Sequence, residues 1–494
     1  MKRRLIAVVL VLLIMTGCIL VGKLELPMKE LIDNKASDSE AVTYDKESVY
    51  IWYSDDTLTN YLNAAAVAYN EEHDCRIVPQ LKVPTGFLNE VNTAICDNNV
   101  PDMYIVTHDA LGKAALAGLT SEITMDRDGF IVAYLDRAQD AVSYDNKILG
   151  YPLNFETSVL LYNKTFLNDM FEGKMAEEAD SVGEASEEAG EEEESLKVNS
   201  IDDLIPDTVE KIELLADEFD APEGVEGFFK WDVTDIFYNY FFIGDAIDLG
   251  GQGGWDKSSI DIYNENAISA LTAYQNLNQF FSIDSSTTDY NQIIQDFIAG
   301  KMIYTVATSD AIATLEAARA EGNFEYEYGV ALLPDMSEDL LTRAMSMTNV
   351  VVVSPFASTH HQEIANDFAF FLTNKYADNM YSKAGKLSTS STVHYDYDSL
   401  KVYAEEYEYS IPLPKMLETN TFWIDLERTF LNVWNGMDAN AELKTLAEKL
   451  LYQLNGEEIT LPLIEIEDNS VDIEYLDEEE LTRSAKESNI DIQS

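Results

Sequence analysis

The side chain with the plainest chemical assignment is the thiol of Cys18. Met1-Lys2-Arg3-Arg4 is a cationic start, Leu5 to Met15 is an unbroken apolar run, and Thr16-Gly17 places small residues directly before the cysteine. That order is the pattern of a secretory signal closed by a lipoprotein cleavage box, with Met15 a mild departure from the leucine such boxes prefer. The expectation is cleavage after residue 17 and acylation of Cys18 at its thiol and amine. An uncleaved anchor is the alternative, although the apolar run is short for a membrane span. Both place the chain on the outer face of the cytoplasmic membrane, held at the cell surface. No comparable assignment exists for catalysis. His73, His108, His360, His361 and His394 show no zinc-enzyme spacing, and no GxSxG, GxxxxGK[ST] or strand-linked GxGxxG motif occurs. No catalytic residue, metal or cofactor is expected. Cys75 and Cys96 are the remaining cysteines; two do not make a disulfide framework, and a single bridge or two thiols are both open.

The elements that carry these residues alternate. Ser48-Val49-Tyr50-Ile51-Trp52-Tyr53 reads as a strand, Leu58 to Asn70 as a helix, Arg76 to Leu81 as a strand, Phe87 to Asn98 as a helix and Asp102 to Val106 as a strand. Gly150 to Leu153 and Val159 to Tyr162 are further strands. Alternation at this spacing predicts a mostly parallel sheet with helices on its faces. The chain has 494 residues, 46% of them hydrophobic, which suffices for two or three domains. Its formal charge of −58 repels nucleic acid and anionic membrane surfaces and disfavours polyanionic ligands. Solubility on an exposed surface is the ordinary explanation of that charge. Residues 18–47 read as a polar tether between lipid and domain. Phe171 to Asn199 holds eleven acids against two bases, which predicts a solvated, disordered insertion. Gly456 to Ser494 reads as an acidic tail, in which Leu461, Leu463, Ile464 and Ile466 can make one edge strand.

Several ordered segments carry a resemblance. They are Val49 to Asp55; Pro101 to Asp109 followed by Ala117-Gly118-Leu119; Gly150 to Thr157 running into Leu161-Tyr162-Asn163-Lys164; Ile298 to Met302; and Pro412 to Gly436 with Phe422-Trp423. In order and spacing they resemble the extracellular solute-binding lipoproteins of ABC sugar importers, especially the maltodextrin-binding type, over most of residues 48–454. The resemblance implies an α/β, two-lobed periplasmic-binding-protein-like fold with a hinge and an interlobe ligand cleft. Lobe 1 would be 48–155 plus 334–354, and lobe 2 would be 156–333 plus 355–455. It implies a carbohydrate ligand, ABC transporter permease subunits as partners, a monomer, and no enzymatic step.

A pyranose has apolar faces that suit flat aromatic rings and a hydroxyl rim that suits planar polar groups. Trp52 can offer a face or belong to the core. Asp55 and Asp56 follow in the loop after the first strand. Asp109 can take hydroxyl protons or cap the helix from Ala110; the pocket role rests on the resemblance. Glu156 lies at the implied lobe crossing, as ligand group or solvated hinge charge. Trp423 matches the family's late aromatic platform, with a buried hydrophobic cluster as its rival. Trp231 and Asp235 lie in a segment resembling a second-lobe pocket segment, where core is the competing role. After Met302 the family often places a tryptophan, whereas this chain reads Thr305-Val306-Ala307-Thr308-Ser309-Asp310, which leaves the sugar open. Competing readings are a secreted glycoside-acting enzyme using paired carboxylates, a ligand-sensing surface lipoprotein, and a polyamine-binding receptor suited to the acidic field.

Overall fold

The computed structural model describes residues 46–97, 99–181 and 198–466. Seven strands form a first sheet: β1 (Glu47–Tyr53), β2 (Cys75–Leu81), β3 (Met103–Thr107), β6 (Tyr151–Glu156), β13 (Met345–Val353), β14 (Leu387–Ser388) and β15 (Ile411–Pro412). Their order is β14-β6-β13-β3-β1-β2, with β15 beside β13. Four strands form a second sheet, β7 (Ser158–Asn163), β8 (Gly227–Phe229), β11 (Met302–Thr308) and β12 (Tyr328–Ala331), in the order β12-β7-β11-β8. Two small hairpins pair β4 (Ser143–Tyr144) with β5 (Lys147–Ile148) and β9 (Asp248–Leu249) with β10 (Ile260–Asp261).

Side-chain pattern explains these elements. β1 is rich in β-branched and aromatic residues and runs parallel to β3, with Ile51 opposite Met103. β11 reads Met-Ile-Tyr-Thr-Val-Ala-Thr and is buried at every position, because helices cover both of its faces. Helices Thr59–Glu72 and Phe87–Cys96 follow β1 and β2, giving the alternation expected for this region. Each sheet has its own core. Tyr104, Tyr151, Val350 to Val353, Phe368 and Leu372 belong to the first; Trp231, Phe242, Tyr274, Phe430 and Trp434 belong to the second. These are the two lobes. Only Thr157 separates β6 of the first from β7 of the second, and its Oγ1 donates to the Met345 carbonyl at 3.1 Å.

Four expectations need correction or fall outside these residues. Residues 355–455 do not all join the second lobe. Helices Thr359–Phe370 and Asp398–Tyr409 pack their buried side chains into the first core, and β14 pairs with β6. Residues 422–450 do pack into the second. The acidic segment from Phe171 is ordered as far as Ser181, as the end of the helix Lys164–Ser181. Phe166, Leu167 and Met170 anchor that helix in the second core, and the Ala, Glu and Met that follow favour its continuation. Residues 457–466 form no strand. Leu461 and Ile464 instead lie against the second core, held by Asn440 Nδ2 donating to Ile464 O at 2.8 Å. The neighbour there is the helix Ala439–Asn455, which offers no strand edge, and Pro462 lacks a donor. The signal segment, Cys18, most of the tether, residues 182–197 and residues 467–494 lie outside the described residues. No disulfide joins Cys75 and Cys96.

Candidate functional site

A cavity of about 630 Å³ opens at the carboxyl ends of β1, β3 and β6. Ligands of open α/β sheets bind at that edge, because loops there are free to vary while the strands hold them in place. Ser54, Asp55 and Asp56 reach it from the loop after β1, Thr107 and Ala110 from the end of β3, and Asn154 and Glu156 from β6. Met347 and Asn349 of the antiparallel neighbour β13 and Lys386 beside β14 close the floor. Lys113 and the start of the helix Phe87–Cys96 form the rim.

Asn154 and Glu156 stand two apart on one strand and so share a face. Asn349 Nδ2 donates to Asn154 Oδ1 at 3.3 Å, which leaves amide hydrogens and oxygens of both groups for a ligand. Glu156 Oε2 is 3.5 Å from Lys386 Nζ. Burial pushes the Glu156 carboxyl above its ordinary range; Lys386 pulls it down, while Asp310 and Asp55 raise it. Asp55 is fixed by Thr57, whose backbone N–H and Oγ1 donate to its Oδ1 at 3.0 and 2.6 Å.

On the second lobe, Asp310 is among the charges that raise the Glu156 carboxyl, and a hydrogen-bonded cluster surrounds it. Tyr290 is the hub there. Its hydroxyl accepts from Thr308 N–H at 3.1 Å and Thr308 Oγ1 at 2.8 Å, and donates to Asp310 Oδ1 at 3.1 Å. Tyr238 stacks on Tyr290 with ring centroids 4.5 Å apart and planes 13° from parallel. Burial pushes the Tyr238 hydroxyl up, with Asp310, Asp235 and Glu156 adding to the shift, so both tyrosines stay neutral donors. Tyr403, from a first-lobe helix, donates to Thr308 O of β11 at 2.9 Å and so links the two lobes.

The residues singled out from sequence divide. Asp55, Asp56 and Glu156 line the cavity. Trp52 does not: it is 3% exposed, packed in the first core, with Lys82 Nζ 3.6 Å from its ring centroid. Trp231 is fully buried in the second core and donates to Asn239 Oδ1 at 2.9 Å. Asp109 neither lines the cavity nor caps a helix. Burial pushes its carboxyl up, its Oδ1 has no hydrogen-bond partner among the described residues, and Lys415 is the cation near it. Asp235 caps the short helix Ile236–Asn239 by accepting from Phe237 N–H at 2.8 Å, outside the cavity. Trp423 is half-buried against Tyr240 and Phe422 and also lies outside it. Asn154, Asn349 and Lys386 also line the cavity and were not found by sequence reasoning. Period-two spacing from Glu156 was a signal for Asn154, and an asparagine before a valine run was one for Asn349; Lys386 gave none.

A family model described as bacterial extracellular solute-binding protein matches residues 64–407. A galactooligosaccharide-binding protein of Bacillus subtilis is 22% identical over 431 residues, covering 85% of this chain and 92% of that protein. A maltooligosaccharide ABC transporter solute-binding lipoprotein of Streptococcus pneumoniae is 21% identical over 441 residues, covering 86% and 93%. An extracellular solute-binding protein from Staphylococcus aureus, solved with maltose, superposes with a TM-score of 0.66 at 18% identity, covering 83% of this chain and 98% of that one. A maltose-binding periplasmic protein from Listeria monocytogenes, also with maltose, gives 0.64 at 18%, covering 84% and 100%. The match over residues 64–407, on a two-lobed α/β frame with its cavity at the strand ends, places this chain in the family of bacterial extracellular solute-binding proteins.

Proposed function

We infer that this protein captures a neutral oligosaccharide outside the cell and hands it to the permease of an ABC importer. The supporting observation is the cavity itself, lined by side-chain amides and carboxylates of the first lobe; the stacked Tyr238–Tyr290 pair is proposed as the aromatic partner from the second. Amides and carboxylates pair with adjacent ring hydroxyls, and aromatic rings cover the C–H faces. The sugar-binding and ABC-transporter names of its relatives point the same way. Ligand contacts made to both lobes favour the closed arrangement over the open one, and that difference is the whole of the mechanism. No bond in the sugar needs to change. Acylation of Cys18 would keep the monomeric receptor at the outer face of the membrane.

Calorimetric titration with maltotriose, galactotriose and spermidine tests the reading. At least one sugar should bind, and Glu156→Ala should weaken it by about 1–3 kcal/mol, five- to 150-fold, through loss of a charge-assisted hydrogen bond. Binding of spermidine alone would transfer the site to cationic ligands. New reducing ends after incubation with a bound sugar would make the protein an enzyme.

A further inference from the structure

Lys415 is 1% exposed. Its Nζ donates to three backbone carbonyls, Gly253 at 2.6 Å, Asp140 at 2.8 Å and Ser143 at 2.9 Å. An ammonium has three hydrogens, and each meets one acceptor. The acceptors belong to different lobes. Asp140 and Ser143 lie at the end of the helix Asp136–Val142, whose Ala138 and Val142 are in the first core. Gly253 lies in the loop between β9 and β10, and Leu249 before that loop is in the second core.

The backbone around Lys415 is held equally closely. Its N–H donates to Gly254 O at 2.6 Å. Its carbonyl oxygen stands 2.0 Å from where a Cβ on Gly112 would be, so the first-lobe helix Leu111–Leu116 approaches in a way only glycine permits. Two residues earlier, Leu413 O lies 3.1 Å from His108 Nε2. His108 Nδ1 accepts from Thr348 N–H at 3.0 Å, which makes Nε2 the donor to Leu413 and the ring neutral. Burial lowers this imidazole to about 3, in keeping with that state. Residues 413–416 are thus gripped by the first lobe on one side and the glycine loop of the second on the other. Ala110 and Lys113, flanking Gly112, line the ligand cavity, so the grip lies directly behind its wall.

We propose that Lys415 is a positioning residue: a clasp between the helix Asp136–Val142 and the Gly250–Trp255 loop that sets the angle at which the cleft stands open. It touches no ligand. Asp140 and Asp109 are the acids that favour its charge and Arg137 is the cation that opposes it. Only the consequence for affinity rests on the cleft being a sugar site; the clasp itself is a property of the ligand-free chain.

The test is therefore made without ligand. In the folded protein at pH 6, below the value of about 7 to which burial pushes this amine, the Lys415 ammonium hydrogens should exchange slowly enough to give an Nζ–H cross-peak, assigned by its loss in Lys415→Met. Lys415→Met should scatter as a more open or more variable particle. Its amide exchange should quicken by about tenfold or more at Gly250–Asp256 and Asp140–Tyr144 while β11 and the helix Ala439–Asn455 stay as they were. Lys415→Gln, which keeps two donor hydrogens, should fall between the two and serves if the methionine variant does not fold. A missing cross-peak, a folded variant that scatters like the native chain, or exchange that rises evenly along the chain would overturn the proposal.

Discussion

Trp231→Ala should destabilise the protein by ~3–5 kcal/mol while leaving the sugar affinity of the folded fraction within about threefold. The indole is 0% exposed and stands at the centre of an aromatic cluster. Phe229 stacks on it at 4.6 Å between centroids, Trp434 and Phe242 lie at 5.6 Å, and Phe281 at 6.2 Å. Removing the ring opens a cavity that rings of this size cannot collapse to fill. It also takes a donor from Asn239 Oδ1, leaving Tyr274 hydroxyl at 3.2 Å as the donor that remains there. Asn239 in turn donates to Asp232 O and Asp235 O at 2.9 and 2.7 Å, so the loop shape beyond Trp231 depends on the same amide. Denaturant unfolding and calorimetric titration of the one variant separate the two roles. A variant as stable as the native chain that no longer bound sugar would return Trp231 to the pocket.

Glu406→Gln should stabilise the protein above neutral pH and make no difference in acid. Glu406 is 5% exposed, and its Oε2 accepts from Leu333 N–H at 2.9 Å in the segment that returns to the first sheet. Burial pushes this carboxyl up to about 7; the Leu333 N–H pulls it down, and Asp335 and Glu405 raise it further. The folded chain therefore holds this proton more tightly than the unfolded one. That contribution is complete below the unfolded value of 4.5 and is lost as pH rises through about 7. The shift corresponds to roughly 3 kcal/mol. Glutamine keeps an acceptor for Leu333 and carries no charge at any pH. Melting temperatures of the two chains should coincide near pH 4 and diverge in favour of Glu406→Gln by pH 8. Parallel curves across that range would show that the carboxyl titrates as though solvated.

Sequence pattern reached the frame further than it reached the site. Strands β1, β2, β3, β6 and β7 and the helices after β1 and β2 were readable because alternation and β-branched runs are local properties. The assignment of residues 355–409 was not, since which sheet a helix covers is decided by partners hundreds of residues away, such as Phe155 for Leu387. That Asp55, Asp56 and Glu156 line the cavity was legible because they stand at or just after strand ends. The tryptophans misled for a physical reason. A large ring suits a sugar face and a core equally well, and Trp52 and Trp231 each had enough neighbouring apolar residues to bury them. Lys386 is brought to the cavity by a chain reversal that leaves no local trace.

The position of β13 has a consequence for how the chain is made. This strand lies between β3 and β6 and pairs antiparallel with both, yet it comes from Met345–Val353. Until residue 353 has emerged from the ribosome or the export channel, the first sheet is two unjoined halves. The second lobe waits longer, because Phe422, Phe430 and Trp434 complete its core. Neither half can finish early, and contacts across such sequence separations close slowly. An exported chain of this design remains threadable for most of its passage and acquires its final shape only on the far side.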